Sequence, residues 1–148
     1  MQPDMSWVGV LEHHAARTPD KPIAVDGDRV VTYRRMVEWA AEVAAGFAAR
    51  GVGAGDVVGL LSHNRVEMLT TLFAANHLGA ACMPINWRLA PEEVRFILEH
   101  SEARAFVCDG AVAAGEQQSG RQQEASKIRL HEIEPRVMRL RAPSFVIG

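Results

Sequence analysis

The chain has 148 residues, 48% of them apolar, enough for a folded unit with a real core. Its formal charge of -2 contains no block of one sign, which argues against nucleic acid or an anionic membrane and leaves a small molecule or a protein as partner. The start, MQPDMSWVGV, has no charged-then-apolar leader, and no apolar run reaches the roughly eighteen residues of a membrane span, so a cytoplasmic protein is expected.

Ser6 can cap a helix from about Trp7 to Arg17, with Val8, Val10, Leu11 and Ala15 broadly on one side. Thr18-Pro19-Asp20-Lys21-Pro22 ends it, because neither proline continues a helix and each restricts its predecessor. Ile23–Val25 and Arg29–Val31 flank Asp26-Gly27-Asp28, the signature of a β-hairpin. Thr32 caps a long helix from about Tyr33 to Arg50. Its Met36, Val37, Ala40, Val43, Ala44 and Phe47 form one face, Arg34, Arg35, Glu38 and Glu42 the other, and Gly51 stops it.

The stretch from Asp56 to Asp109 reads as strand, helix, strand, helix, strand. Val57–Leu61 is a short apolar run ending in Ser62, His63 and Asn64, as expected for a strand buried on both faces. Asn64 and Glu67 have the spacing of a reciprocal capping pair for a helix from about Arg65 to His77, with Gly79 as its C-terminal cap. Val66, Met68, Leu69, Leu72, Phe73, Ala75 and Leu78 cover more than one stripe of that helix, which predicts packing on two sides. A strand at Ala80–Pro84 follows. Pro91 then opens a helix with Glu92 and Glu93 at its positive end and Val94, Ile97 and Leu98 at helical spacing, before a strand at Ala105–Cys108. Two successive crossover units imply a parallel sheet. The fold class is therefore α/β, with βαβαβ parallel-sheet units preceded by a helix, a hairpin and a long helix.

The chemistry-bearing residues form few constellations. Cys82 and Cys108 lie in strands without CxxC spacing and read as buried reduced thiols. His13 and His14 are adjacent and would point to different sides of a helix, and no metal-ligand spacing occurs. The glycines of GVGAGDVVG follow a helix and precede a strand. A phosphate-binding fingerprint needs the reverse order, so they read as a turn. From Gly110 the chain becomes polar and Gln-rich, then alternates short apolar pairs with charges and with Pro135 and Pro143. Residues 111–148 read as a weakly structured tail, given a basic flavour by Lys127, Arg129, Arg136, Arg139 and Arg141.

Taken together, AARTPDKPIAV, VTYRRMVEWAAEVAAGFAARGVGAGDVVGLLSHNRVEML and GAACMPINWRLAPEEVRFILEHSEARAFVCD closely resemble the N-terminal part of acyl-CoA synthetases, of the adenylate-forming superfamily. The resemblance covers about Trp7 to Asp109, so residues 1–110 form the matching portion. Its specific pieces are Thr32-Tyr33, Gly55-Asp56, Asn64-x-x-Glu67, and Pro84-Ile85-Asn86-Trp87-Arg88-Leu89 before Pro91-Glu92-Glu93. The pattern around Asn86 and Arg88 looks more like the fatty-acid and related CoA ligases than the peptide adenylation domains.

The resemblance implies ATP-dependent formation of an acyl-adenylate, transfer of the acyl group to coenzyme A, and assistance by Mg2+. That chemistry needs a Gly-, Ser- and Thr-rich loop ending in Pro-Lys-Gly to offset phosphate charge. No such loop appears in the sequence, so no catalytic, cofactor-binding or metal residue is carried over and no cofactor is expected for this chain alone. Asn64 and Glu67 read as a capping pair. Asn86 leaves a strand end, where open α/β sheets place ligands, and Arg88 reads as a loop-fixing hydrogen-bond donor. Two readings follow: a truncated fatty-acid–CoA ligase inactive alone, or a non-catalytic module that docks a full-length relative or the remainder of a split synthetase.

Overall fold

A computed structural model describes residues 6–109 and 145–147, and the features expected of residues 110–144 lie outside it. The chain divides into two compact units, one of residues up to 55 together with 64–81, the other of residues 56–63 together with 82 onward. Among the described residues no helix is long and apolar enough to cross a membrane.

The first unit holds α1 (Trp7–Arg17), the hairpin strands β1 (Pro22–Asp26) and β2 (Arg29–Thr32), α2 (Tyr33–Ala48) and α3 (Val66–His77). Both predicted N-caps form: Ser6 Oγ accepts the Gly9 N–H at 3.0 Å and Thr32 Oγ1 accepts that of Arg35 at 3.3 Å. The hairpin is antiparallel with Val25 opposite Val30 and Asp26 opposite Arg29. Gly27 takes the positive φ of 60° that its tight turn demands.

The apolar face expected of α2 is the buried one. Met36 and Ala40 join Leu11, Val31, Val66 and Phe73 in one core cluster. On α1 only Leu11 is buried, and Trp7 and Val10 stay exposed. Helix α3 buries Thr70 and Thr71 along with Val66, Phe73, Ala74 and Ala75, while Leu69 stays exposed. The threonines tolerate burial because each hydroxyl donates to the carbonyl four residues back, Thr70 to Val66 at 3.2 Å and Thr71 to Glu67 at 2.8 Å.

The predicted capping pair of α3 does not form. The N-cap is Arg65, without a side-chain cap bond, and Asn64 lies one residue too early. Glu67 turns instead to Arg29 of β2. The other end closes as expected, with the N–H groups of Gly79 and Ala80 donating to the carbonyls of Asn76 and Ala75.

The second unit is a four-stranded sheet in the order β4 (Ala81–Ile85), β3 (Val57–Leu61), β5 (Ala105–Asp109), β6 (Phe145–Ile147), with α4 (Pro91–His100). The strands β4, β3 and β5 are parallel, and β6 runs antiparallel to β5. Leu61, Ile85, Val94, Leu98, Phe106 and Cys108 make its core. Helix α4 comes so close to β3 that a Cβ on Gly59 would lie 2.5 Å from Leu98 Cδ2, so a side chain there must displace its neighbour. Pro91 starts α4, and the Glu93 carboxylate accepts the Ala90 N–H at 2.8 Å, half of a capping box.

Candidate functional site

In the second unit β3 lies between β4 and β5, so the chain leaves β3 to one side and returns on the other. The carboxyl ends of β3 and β5 therefore flank a topological switch point, the place where open parallel sheets take ligands. Four residues converge there. His63 follows β3 by two residues, Asp109 ends β5, and Trp87 and Arg88 lie on the turn after β4.

Asp109 is completely buried, and its Oδ2 lies 3.2 Å from His63 Nδ1. A carboxylate only accepts, so Nδ1 carries the proton and Nε2 is left as the second functional nitrogen. That atom is buried and has no hydrogen-bond partner among the described residues. The His63 ring lies 4.6 Å from the Trp87 indole, tilted by 51°. The Arg88 guanidinium sits 4.3 Å from the centre of the same indole, well within cation–π range.

The turn that carries Trp87 and Arg88 is locally determined. Asn86 Oδ1 accepts the Arg88 N–H at 3.0 Å, and the Asn86 carbonyl accepts the Leu89 N–H at 3.1 Å. Asn86 thus stands at the expected strand end, but its side chain shapes the backbone. Arg88 contributes its backbone N–H to that turn, while its side chain stacks on Trp87. Trp87 and Leu89 pack against the sheet core and anchor the turn from below.

Sequence reasoning placed Asn86 and Arg88 at this end of the sheet and missed the pairing of His63 with Asp109. The available signal was that both follow or end apolar strand runs in adjacent positions of a crossover fold. Beside them, burial pushes the Cys108 thiol up to about 12, and the Asp109 charge acts in the same direction. Cys82, half-buried on β4, is raised to about 11 by burial. Both read as inert thiols. His13 and His14 are exposed on α1 with their rings in edge contact at 5.6 Å.

A second polar cluster lies in the first unit. Arg29 Nη1 meets Glu67 Oε1 at 2.6 Å, its Nη2 meets Asp26 at 3.1 Å, and its guanidinium lies 5.7 Å from the Trp39 ring. The Glu67 side chain is only 8% exposed, and its Oε2 has no hydrogen-bond partner among the described residues. Hydrogen bonding to Glu67, opposed by burial, raises the Arg29 pKa.

Among the described residues no group of three His, Cys, Asp or Glu side chains could hold a metal ion. The whole sequence also lacks the Pro-Lys-Gly run that would serve the phosphates.

Comparison with known proteins defines the class. The family described as AMP-binding enzyme matches residues 11–143, and the chain belongs to that family. It is 36% identical to 2-succinylbenzoate–CoA ligase of Geobacillus kaustophilus over 75% of this chain and 23% of the ligase. It is 28% identical to bacitracin synthase 1 of Bacillus licheniformis over 79% of this chain and 2% of that protein. Among solved structures, a Mycobacterium tuberculosis fatty acyl CoA synthetase superposes with a TM-score of 0.67 and 34% identity, over 71% of this chain and 22% of the synthetase. The chain thus spans less than a quarter of each of these relatives.

Proposed function

We propose that this chain is the N-terminal part of an acid–CoA ligase whose whole activates a fatty or related carboxylic acid with ATP and passes the acyl group to coenzyme A. The observation that carries the reading is the identity to the CoA ligase and to the fatty acyl CoA synthetase, 36% and 34%, which extends over 75% and 71% of the chain. The Asn86–Leu89 turn, at the carboxyl end of β4, borders the ligand site in this reading. By itself the chain does not run the adenylation, because it lacks a loop for the phosphates. Its working partner is the remainder of a ligase, and its setting is the cytoplasm.

The first test is calorimetry of the purified chain with ATP, coenzyme A and an acyl-adenylate analogue. No saturable ATP heat is expected, and saturable ATP binding would overturn the claim of inactivity. The second test supplies the remaining portion of a fatty acyl CoA ligase in trans and follows pyrophosphate release. Release is expected with fatty acids, and release with amino acids alone would move the chain to the peptide-activating branch.

A further inference from the structure

We infer that His63 and Asp109 are positioning residues for the Trp87–Arg88 pair, an inference that rests on reading the Asn86–Leu89 turn as part of the ligand site. Asn86 and Arg88 are exposed, and the hydrogen bonds inside the turn fix its backbone and the Asn86 amide without fixing the direction of the long Arg88 side chain. The Arg88 guanidinium is instead oriented by the indole beneath it, at 4.3 Å. The indole in turn needs a wall. The sheet core supports Trp87 from one direction, and the His63 ring, 4.6 Å away, supports it from another.

His63 lies on a connecting segment, two residues beyond β3, so its ring needs a tether of its own. Asp109 supplies one. It is fully buried at the end of β5, the strand paired directly with β3, and it accepts from Nδ1 at 3.2 Å. The order of support therefore runs from the rigid sheet through Asp109 and His63 to Trp87, and ends at an exposed cation at the carboxyl end of the strands. A guanidinium stacked on an indole keeps its N–H fork in one plane, which suits it to an oxyanion.

The test is the NMR spectrum of the whole chain without ligand. The indole ring current shifts the Arg88 side-chain methylene protons upfield when the guanidinium is stacked. His63→Ala and Asp109→Ala are expected to lose that shift, and His63→Phe, which restores a ring against Trp87, to recover most of it. The methyl signals of Val94 and Leu98 in the core of the same unit report its folding. If Asp109→Ala fails to fold, the contrast between His63→Ala and His63→Phe decides. Unchanged Arg88 shifts in a folded His63→Ala protein would overturn the inference. No ligand enters the measurement, so the ligase reading can fail separately.

Discussion

Replacing Arg29 with alanine isolates what a buried carboxylate costs when the only strong partner it has among the described residues is removed. Glu67 is 8% exposed and has one oxygen without a partner among the described residues, so Arg29→Ala leaves both oxygens without one there. Removing one partner of a fully buried pair costs about 3–5 kcal/mol. Arg29 is itself 45% exposed, so water already screens part of the pair, and the Glu67 share falls to about 2–3 kcal/mol. Loss of the exposed Asp26 pair and of the Trp39 contact adds at most about 1 kcal/mol.

Arg35 provides an internal control. It pairs with Glu42 at 3.0 Å and Glu38 at 3.6 Å and lies 5.9 Å from the same Trp39 ring, but both of its carboxylates are exposed. Arg35→Ala should cost no more than about 1 kcal/mol. Urea denaturation followed by circular dichroism measures both variants. Glu67→Gln in the Arg29→Ala background should recover part of the loss, because the buried charge is gone. Equal costs for Arg29→Ala and Arg35→Ala, or no recovery with Glu67→Gln, would refute the reasoning.

Gly59→Ala should destabilise by about 1–3 kcal/mol in the same denaturation assay, since its Cβ meets Leu98 Cδ2 at 2.5 Å. Leu98→Val, which lacks that atom, should reduce the penalty in the double variant. The two helix ends that close through left-handed residues predict opposite signs. Gly79, at φ 72° and with a Cβ position 3.2 Å from Ala54, loses about 1–2 kcal/mol as alanine, whereas Glu102, a non-glycine residue at φ 51°, gains up to about 1 kcal/mol as glycine. The thiols should resist alkylation in the folded protein at pH 8.5 and react rapidly in urea. Their folded values of about 11 for Cys82 and about 12 for Cys108 lie above the ordinary 9.0, so the stability they contribute is complete below pH 9.0 and declines as pH rises through those folded values.

Local residues made most elements legible. The hairpin follows from Asp-Gly between two β-prone runs, and its glycine has the required positive φ. Ser6, Thr32, Pro91 and Gly79 mark helix ends through interactions that span a few residues at most, so each can be read without knowing the fold. The apolar stripe of α2 was legible for a similar reason, because one wide face was buried. On α1, of Val8, Val10, Leu11 and Ala15 on one side, Leu11 is the one that is buried, since a stripe identifies which side can be covered and says nothing of how much arrives to cover it.

The sequence by itself determined the family resemblance, the strand–helix alternation and the position of the Asn86–Arg88 turn. Only tertiary structure decided where the charged side chains went. Asn64 and Glu67 had the spacing of a capping pair, yet Glu67 meets Arg29 of another element, because a buried carboxylate gains more from a guanidinium than from a backbone N–H. His63 and Asp109 are 46 residues apart and meet because β3 and β5 pair side by side. Short-range hydrogen bonds and apolar periodicity are written along the chain, whereas ion pairs and ring contacts between elements depend on strand order, which the chain does not spell out.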